Sequence, residues 1–140
     1  MKLAVTGVGI VSPLGNNIEE NIEGLRNLDI NLSDFRKDGH YSEPMLEIKK
    51  AFLCNYDDVD TSHLIKDKDK KFIDPNVVTS LIAAEQAIKM SGLDLPSDTP
   101  VVVGTVRGGA INLGRVGNEL SQQKTRIHPL VLLSSAQDYV

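Results

Sequence analysis

Residues 5–16 read Val5-Thr6-Gly7-Val8-Gly9-Ile10-Val11-Ser12-Pro13-Leu14-Gly15-Asn16. The apolar, β-branched part of this stretch, together with the residues before it, predicts a strand over Lys2–Val11 that is buried on both faces. Its last five residues predict a turn, because Ser, Pro, Gly and Asn favour turn conformations. We expect Gly7 and Gly9 to lie where another backbone passes closely, since glycine has no Cβ.

Two helices are predicted on either side of the middle of the chain. The first spans Ile18 to Leu28, with Asn16 or Asn17 as its N-cap and apolar residues at helical spacing. The second begins at Asp74-Pro75, because Asp is a good N-cap and Pro suits the first helical position. It ends at Ser91-Gly92, where glycine accepts the left-handed conformation that terminates many helices.

The other segments are predicted from composition and spacing. They are, in chain order, a loop over Asp29–Pro44, a short strand near Ile48–Leu53, an irregular charged stretch over Asp57–Lys71, a strand over Pro100–Gly104, and a helix from about Leu113 to Gln123. A last helix is predicted from Pro129, and it runs without a cap into Val140, as if interrupted. The order indicates an α/β protein whose mixed sheet is covered by helices, with residues 1–140 forming one incomplete domain.

The composition of the 140 residues excludes several kinds of function. The net charge of −4 gives no basic face for nucleic acid, and Lys66–Lys71 alternates in sign, which is typical of a solvated segment. No segment approaches the roughly 20 apolar residues that span a bilayer. The single cysteine excludes an internal disulfide and indicates a reducing compartment. We therefore expect a cytoplasmic protein without a nucleic-acid or membrane partner.

The glycines invite a nucleotide-binding interpretation that their neighbours disfavour. A dinucleotide fingerprint needs a third Gly or Ala three positions after Gly9 and a helix that begins at once. Ser12 occupies that position, and Pro13 delays the helix, so a pyrophosphate would have no helix N-terminus to bind. Gly104–Gly109 also lacks the Gly-Lys-Ser/Thr ending of a phosphate loop. Because ligands bind at strand ends in α/β folds, this segment is either a pocket wall or only a turn.

Several motifs recur in an order that is itself informative. After residues 5–16 come Lys71-Phe72-Ile73-Asp74, the alanine-bearing helix up to Ser91-Gly92-Leu93, Val103-Gly104-Thr105 with Gly108-Gly109, and Arg126-Ile127-His128-Pro129. This ordered set resembles the β-ketoacyl-ACP synthase family over nearly the whole chain, although Asp29–Lys70 is divergent. The resemblance implies the amino-terminal portion of a thiolase-like αβαβα layered fold, which is built from two similar halves and is usually dimeric.

The family's reaction is a decarboxylating Claisen condensation. A cysteine thiolate at a helix N-terminus accepts an acyl group from acyl carrier protein, two histidines assist the decarboxylation of malonyl-ACP, and backbone N–H groups hold the oxyanion. By resemblance, the nucleophile follows the helix that begins at Pro129, so it and the histidines lie beyond Val140. No catalytic residue, metal ligand or cofactor site is therefore predicted in this chain. Cys54 is predicted to be a small buried hydrophobe, and His40, His63 and His128 to be surface or loop histidines.

The resemblance also implies a wall or gate of the acyl pocket. Its residues here are Thr105, Val106, Arg107, Gly108, Gly109, Leu130 and Leu133. Before the Gly-Gly pair the family commonly has glycine and then a medium apolar residue, where this chain has Val106 and Arg107. A guanidinium in an apolar tunnel needs a partner, because burying an unpaired charge is costly. Either Arg107 turns to solvent, or the pocket does not hold a long acyl chain.

Two functions remain open from the sequence. The first is the front portion of a condensing enzyme of type II fatty acid or polyketide biosynthesis, which works with acyl carrier protein as a homodimer or heterodimer and is not catalytic as this chain alone. The second is a non-catalytic partner subunit of an active ketosynthase, similar to a chain-length factor. Arg107 and the missing nucleophile favour the second function, whereas the uncapped last helix favours the first.

Overall fold

The computed structural model describes residues 2–28, 32–33, 50–106, 108–122, 128–129 and 131. Within these ranges, the helices that can be given bounds are α1 (Ile18–Asn27), α2 (Asp67–Lys70), α3 (Pro75–Ser91) and α4 (Ala110–Ser121). Two short strands, β1 (Leu32–Ser33) and β2 (Ala51–Phe52), pair antiparallel, with Leu32 opposite Phe52. The chain divides into a first unit, Met1–Val59 with Ala83–Ser91, and a second unit, Asp60–Ile82 with Gly92–Val140.

The start of α1 is determined by residues next to it in sequence. Asn17 is extended, and its Oδ1 accepts a hydrogen bond from Glu20 N at 2.9 Å. In return, Glu20 Oε2 accepts from Asn16 N at 2.7 Å, as in a capping box shifted by one residue. The predicted helix start is therefore confirmed, with Asn17 as the N-cap. The helix ends before Leu28, which adopts the left-handed conformation with φ 53°.

The two ends predicted for α3 are also confirmed. The helix begins at Pro75 directly after Asp74, and Gly92 follows its last residue with φ 62°. Its first half supplies much of the buried apolar core of the second unit. That core consists of Ile65, Val77, Val78, Ile82, Val116 and Val131.

In the first unit, residues 7–16 lie against the second half of α3. A Cβ on Gly7 would collide with the carbonyl oxygen of Ala87, and one on Gly9 with that of Ala83. Gln86 contacts the same stretch through its side-chain amide, which accepts a hydrogen bond from Ile10 N at 3.1 Å and donates one to Asn16 O at 2.5 Å. The expectation of close backbone approach at these glycines is confirmed.

The turn after this stretch is closed by its own hydrogen bonds. Ser12 and Gly15 exchange both backbone bonds, at 2.9 and 3.1 Å. Asn21, which is buried in α1, donates from its side chain to Gly15 O at 2.8 Å and to Asn17 O at 2.7 Å. The predicted turn is confirmed, and the buried face of α1 carries Asn21 and Gly24, while Ile22 and Leu25 are exposed.

The predicted strands over Lys2–Val11 and Pro100–Gly104 are wrong for this structure, which assigns neither segment to a strand. A strand is held by its ladder of hydrogen bonds to a neighbour, and an apolar pattern within one segment does not supply that neighbour. Their apolar side chains are open instead, with Val5 84% and Val102 94% exposed. The layered mixed sheet is accordingly not observed in the ranges that the structure describes.

Four smaller boundaries differ from, or go beyond, what the sequence predicts. β1 lies inside the stretch predicted as a loop, and α2 lies inside the stretch predicted as irregular. α4 begins at Ala110, ahead of the predicted Leu113, because Gly109 with φ 73° turns the chain directly into the helix. Pro129 and Val131 are helical, as predicted, but the rest of that last helix lies outside the described residues.

Candidate functional site

The segment predicted to form the pocket wall leads directly into α4. Thr105 and Val106 are exposed, and the Val106 side chain is 91% open to solvent. Gly108 is half-buried and Gly109 is buried. Arg107, Leu130 and Leu133 lie outside the described residues, so the two alternatives for Arg107 stay predictions.

Because of the conformation at Gly109, the first N–H groups of α4 lack a side-chain acceptor at the N-cap position. Its backbone is left-handed, at φ 73° and ψ 5°, which favours glycine over residues with a side chain. As the N-cap of α4, Gly109 therefore offers no side-chain acceptor to the first N–H groups of the helix. These groups have no partner within the helix and need an acceptor from elsewhere.

Asp74, the residue directly before α3, supplies that acceptor. Its carboxylate is fully buried, at 0% exposure. One oxygen, Oδ2, accepts from Asn112 N at 3.1 Å, in the first turn of α4. The other, Oδ1, accepts from Asn76 N at 3.1 Å, in the first turn of α3. A single carboxylate thus lies at two helix N-termini, each with partial positive charge, and this compensates for its burial.

Further donors of α4 contact the short segment that ends at Asp74. Asn112, also at 0% exposure, donates from Nδ2 to Phe72 O at 2.9 Å. Arg115 Nη1 donates to Lys71 O at 2.7 Å. The segment Lys71–Asp74 and the inner face of α4 are therefore joined by two backbone carbonyls and one carboxylate.

The same segment contacts the residue before Pro129. The rings of Phe72 and His128 stack with centroids 3.8 Å apart and planes 8° from parallel. Lys71 Nζ lies 4.8 Å from the centroid of the Phe72 ring, within the range of a cation–π contact. Three motifs that are separate in the sequence, at 71–74, 108–109 and 128–129, are thus held together in the second unit.

Cys54 is exposed, which corrects the prediction that it is a buried hydrophobe. The physical reason is that β2 ends at Phe52, so the residues after it are no longer held in a sheet. Atoms around the sulfur nevertheless exclude water in part, and this burial raises the pKa of the Cys54 thiol above its ordinary value. The thiol form is therefore favoured at neutral pH, and Cys54 has no sign of an activated nucleophile.

The other candidate side chains are the histidines and the carboxylates. His63 and His128 are exposed, as predicted, and His40 lies outside the described residues. Among the residues with described positions, no three His, Cys, Asp or Glu side chains are arranged to hold a metal ion. No helix in that part of the chain is long and apolar enough to cross a bilayer.

A comparison with protein families gives one match that covers nearly the whole chain. The family model described as "Beta-ketoacyl synthase, N-terminal domain" matches residues 1–137. The matched range includes residues 5–16, the Lys71–Asp74 segment, the Gly104–Gly109 turn and His128-Pro129. The elements that the structure joins in its second unit therefore all lie within the matched domain.

Proposed function

The chain belongs to the β-ketoacyl synthase family, whose amino-terminal domain it matches, and we propose that it is the amino-terminal part of a β-ketoacyl-ACP synthase-like protein. Membership implies the thiolase-like fold and a role in acyl transfer. The proposed reaction of the complete protein is the decarboxylating condensation of an acyl group with malonyl-ACP, in type II fatty acid or polyketide biosynthesis. The observation that carries the proposal is the family match over residues 1–137.

Within that protein, we propose that this chain contributes part of the wall of the acyl pocket and none of the catalytic residues. The assigned residues are Thr105, Val106, Arg107, Gly108, Gly109, Leu130 and Leu133. The exposed Val106 side chain supports the assignment, since it offers apolar surface to an acyl group. The buried contacts of Asp74 with α4 support it further, because a pocket wall needs a rigid base.

The chain does not carry a suitable nucleophile. Its single cysteine, Cys54, has a raised thiol pKa, and the nucleophile of such a condensation must react as a thiolate. We therefore propose that these 140 residues alone do not condense acyl and malonyl groups. Acyl carrier protein is the proposed partner, the proposed assembly is a dimer with itself or with a ketosynthase-like subunit, and the proposed compartment is the cytoplasm.

A second candidate function is a non-catalytic subunit similar to a chain-length factor. It is favoured by Arg107, which stands where the family commonly has an apolar residue beside the pocket. A permanently charged guanidinium would shorten or block an apolar acyl tunnel unless it turned away. The two candidates differ in whether a cysteine nucleophile belongs to the same polypeptide.

The reading frame beyond the codon for Val140 distinguishes the candidates. A frame that continues into a cysteine at a helix start, followed by two histidine motifs, supports the condensing enzyme and excludes the non-catalytic subunit. The protein produced from that frame is then incubated with acyl-ACP and malonyl-ACP, and the β-ketoacyl product is detected by mass spectrometry. Product is expected from that protein, whereas product from the 140-residue chain alone would contradict the assignment of the chain to the pocket wall only.

A further inference from the structure

We propose that Asp74 is a positioning residue that sets the Gly108–Gly109 turn by capping α3 and α4 with one carboxylate. The contact between Asp74 and α4 is independent of what the protein does. Its consequence for the acyl group that is accepted rests on the proposed function, which assigns the turn to the pocket wall.

The turn cannot be held by a cap of its own. Gly109 is buried and left-handed, so an N-cap side chain such as Ser or Asp at this position would require a strained backbone. The first turn of α4 therefore depends on an outside acceptor. Oδ2 of Asp74, 3.1 Å from Asn112 N, provides it.

Asp74 is itself placed by the most buried part of the second unit. It directly precedes Pro75, and its Oδ1 accepts from Asn76 N, so the carboxylate is tied to the first turn of α3. That helix is anchored by the buried side chains of Val78 and Ile82. The order of dependence is thus core, α3, carboxylate, α4 and finally the turn before α4.

Asn112 makes the connection specific in register. Its backbone N–H binds Asp74, and its side-chain amide binds Phe72 O, two residues earlier in the same segment. A shift of α4 along this segment would break both bonds together. We infer that the position of the turn relative to the core has one preferred value, which Asp74 selects.

The contact of Asp74 with the two helix starts is tested by amide hydrogen exchange. The measurement uses the protein expressed from its complete gene. In Asp74→Ala both acceptors are lost, and the amides of Asn76 and Asn112 are expected to exchange at least about tenfold faster, the loss of one cap and one bond at each helix. In Asp74→Asn one oxygen becomes a donor, so one of the two amides is expected to lose protection while the other keeps it. A general loss of stability would instead raise exchange throughout the second unit.

Asp60→Asn is the matched control, because Asp60 also accepts from the backbone N–H two residues later, Ser62 N at 2.9 Å, but at the surface. It is expected to leave exchange at Asn76 and Asn112 unchanged. If Asp74→Ala does not fold, the asymmetric loss in Asp74→Asn decides the matter. Exchange at Asn112 within about twofold of the unsubstituted protein in both variants would overturn the proposal, since a lost cap alone changes such an equilibrium about fivefold.

Acyl selectivity tests the second step separately. In the condensing protein, the Asp74 variant that loses protection at Asn112 is expected to change the ratio of kcat/KM for long and short acyl-ACP by about fivefold or more, mainly through KM, as for the loss of about 1 kcal/mol of positioning. Asp60→Asn is expected to keep the ratio. An unchanged ratio beside faster exchange at Asn112 would overturn the role in selectivity. Absence of condensation by the unsubstituted protein would contradict the proposed function, and the exchange result would then decide alone whether Asp74 holds the turn.

Discussion

The first turns of α1 and α4 obtain acceptors for their N–H groups from different places: α1 from neighbouring residues and α4 from a distant one. In α1, Asn17 and Glu20 satisfy the free N–H groups from within the helix itself and its N-cap. In α4, Gly109 has no side-chain acceptor, and a carboxylate is supplied instead by Asp74, which lies 38 residues before its partner Asn112 in the chain. The first helix start can be separated from its surroundings without losing its cap. The cap of α4 forms only when the second unit folds and brings Asp74 next to Asn112.

The largest expected effect comes from removing the distant cap. Asp74→Ala removes the carboxylate that accepts from Asn76 N and from Asn112 N, and we expect the unfolding free energy to fall by about 3 kcal/mol. Chemical denaturation followed by circular dichroism measures this. Asp67→Ala is the control, because its exposed carboxylate makes only a surface ion pair with Lys70, at 3.1 Å. A loss for Asp74→Ala no greater than for Asp67→Ala would contradict the contrast between the two helices.

A smaller loss is expected from the side chain that accompanies the distant cap. Asn112→Ala removes the buried side-chain amide that donates to Phe72 O and opens a small cavity, so a loss of about 2 kcal/mol is expected. Asn118→Ala, on the exposed face of the same helix, is expected to change stability by less than about 0.5 kcal/mol. Equal thermal unfolding midpoints for these two variants would show that the buried amide does not hold α4.

The local cap is expected to matter less than the distant one. Asn17→Ala removes the acceptor of Glu20 N and is expected to cost about 1 kcal/mol, typical of an N-cap. Asn27→Ala at the other end of α1 makes the same exchange of residue type without touching a cap, and it is expected to be nearly neutral. The comparison uses urea denaturation, and an Asn17→Ala loss larger than that of Asp74→Ala would reverse our ordering.

The smallest expected effect is that of Asp60, whose carboxylate binds residues next to it in the sequence. It changes stability only at acidic pH. Hydrogen bonds from the backbone and side chain of Ser62, then the charges of His63 and Lys70, hold the pKa of Asp60 below its ordinary value. Because the pKa is lower in the folded protein, the ionised Asp60 carboxylate stabilises the fold above the ordinary carboxyl pKa of about 3.9. This stabilisation is lost as the pH falls further. An NMR titration of the Asp60 carboxyl carbon is expected to give a midpoint below that of an unfolded peptide. An equal or higher midpoint would be the contrary result.

The sequence predicts what neighbouring residues decide. The ends of α1 and α3 follow from Asn17, Pro75 and Gly92, which act on the few residues beside them. The capping of α3 by Asp74 follows from the same reasoning. The second bond of Asp74 does not, because nothing near residue 74 in the sequence indicates that Asn112 lies beside it.

Properties that depend on distant partners were the ones that sequence reasoning missed or left untested. The apolar segments around Val5 and Val102 have strand composition, but a strand also requires a neighbour that the segment itself does not encode. For Cys54, which does not match the nucleophile's position and precedes no helix start, the sequence predicts burial, although its exposure depends on where β2 ends. Of the pocket wall, the placement of Gly108 and Gly109 before α4 is observed, whereas its contact with an acyl group stays a prediction.

The contact between Gly7, Gly9 and α3 also limits which changes in length the chain can accept. Gly7 lies against the carbonyl oxygen of Ala87 and Gly9 against that of Ala83, so two residues of this segment are matched to four residues of helix, which advance about 6 Å. Insertion or deletion of one residue between Gly7 and Gly9, or between Ala83 and Ala87, would bring a side chain against a carbonyl oxygen where only hydrogen fits. Related chains are therefore expected to vary in length elsewhere and to keep the spacing of both pairs unchanged.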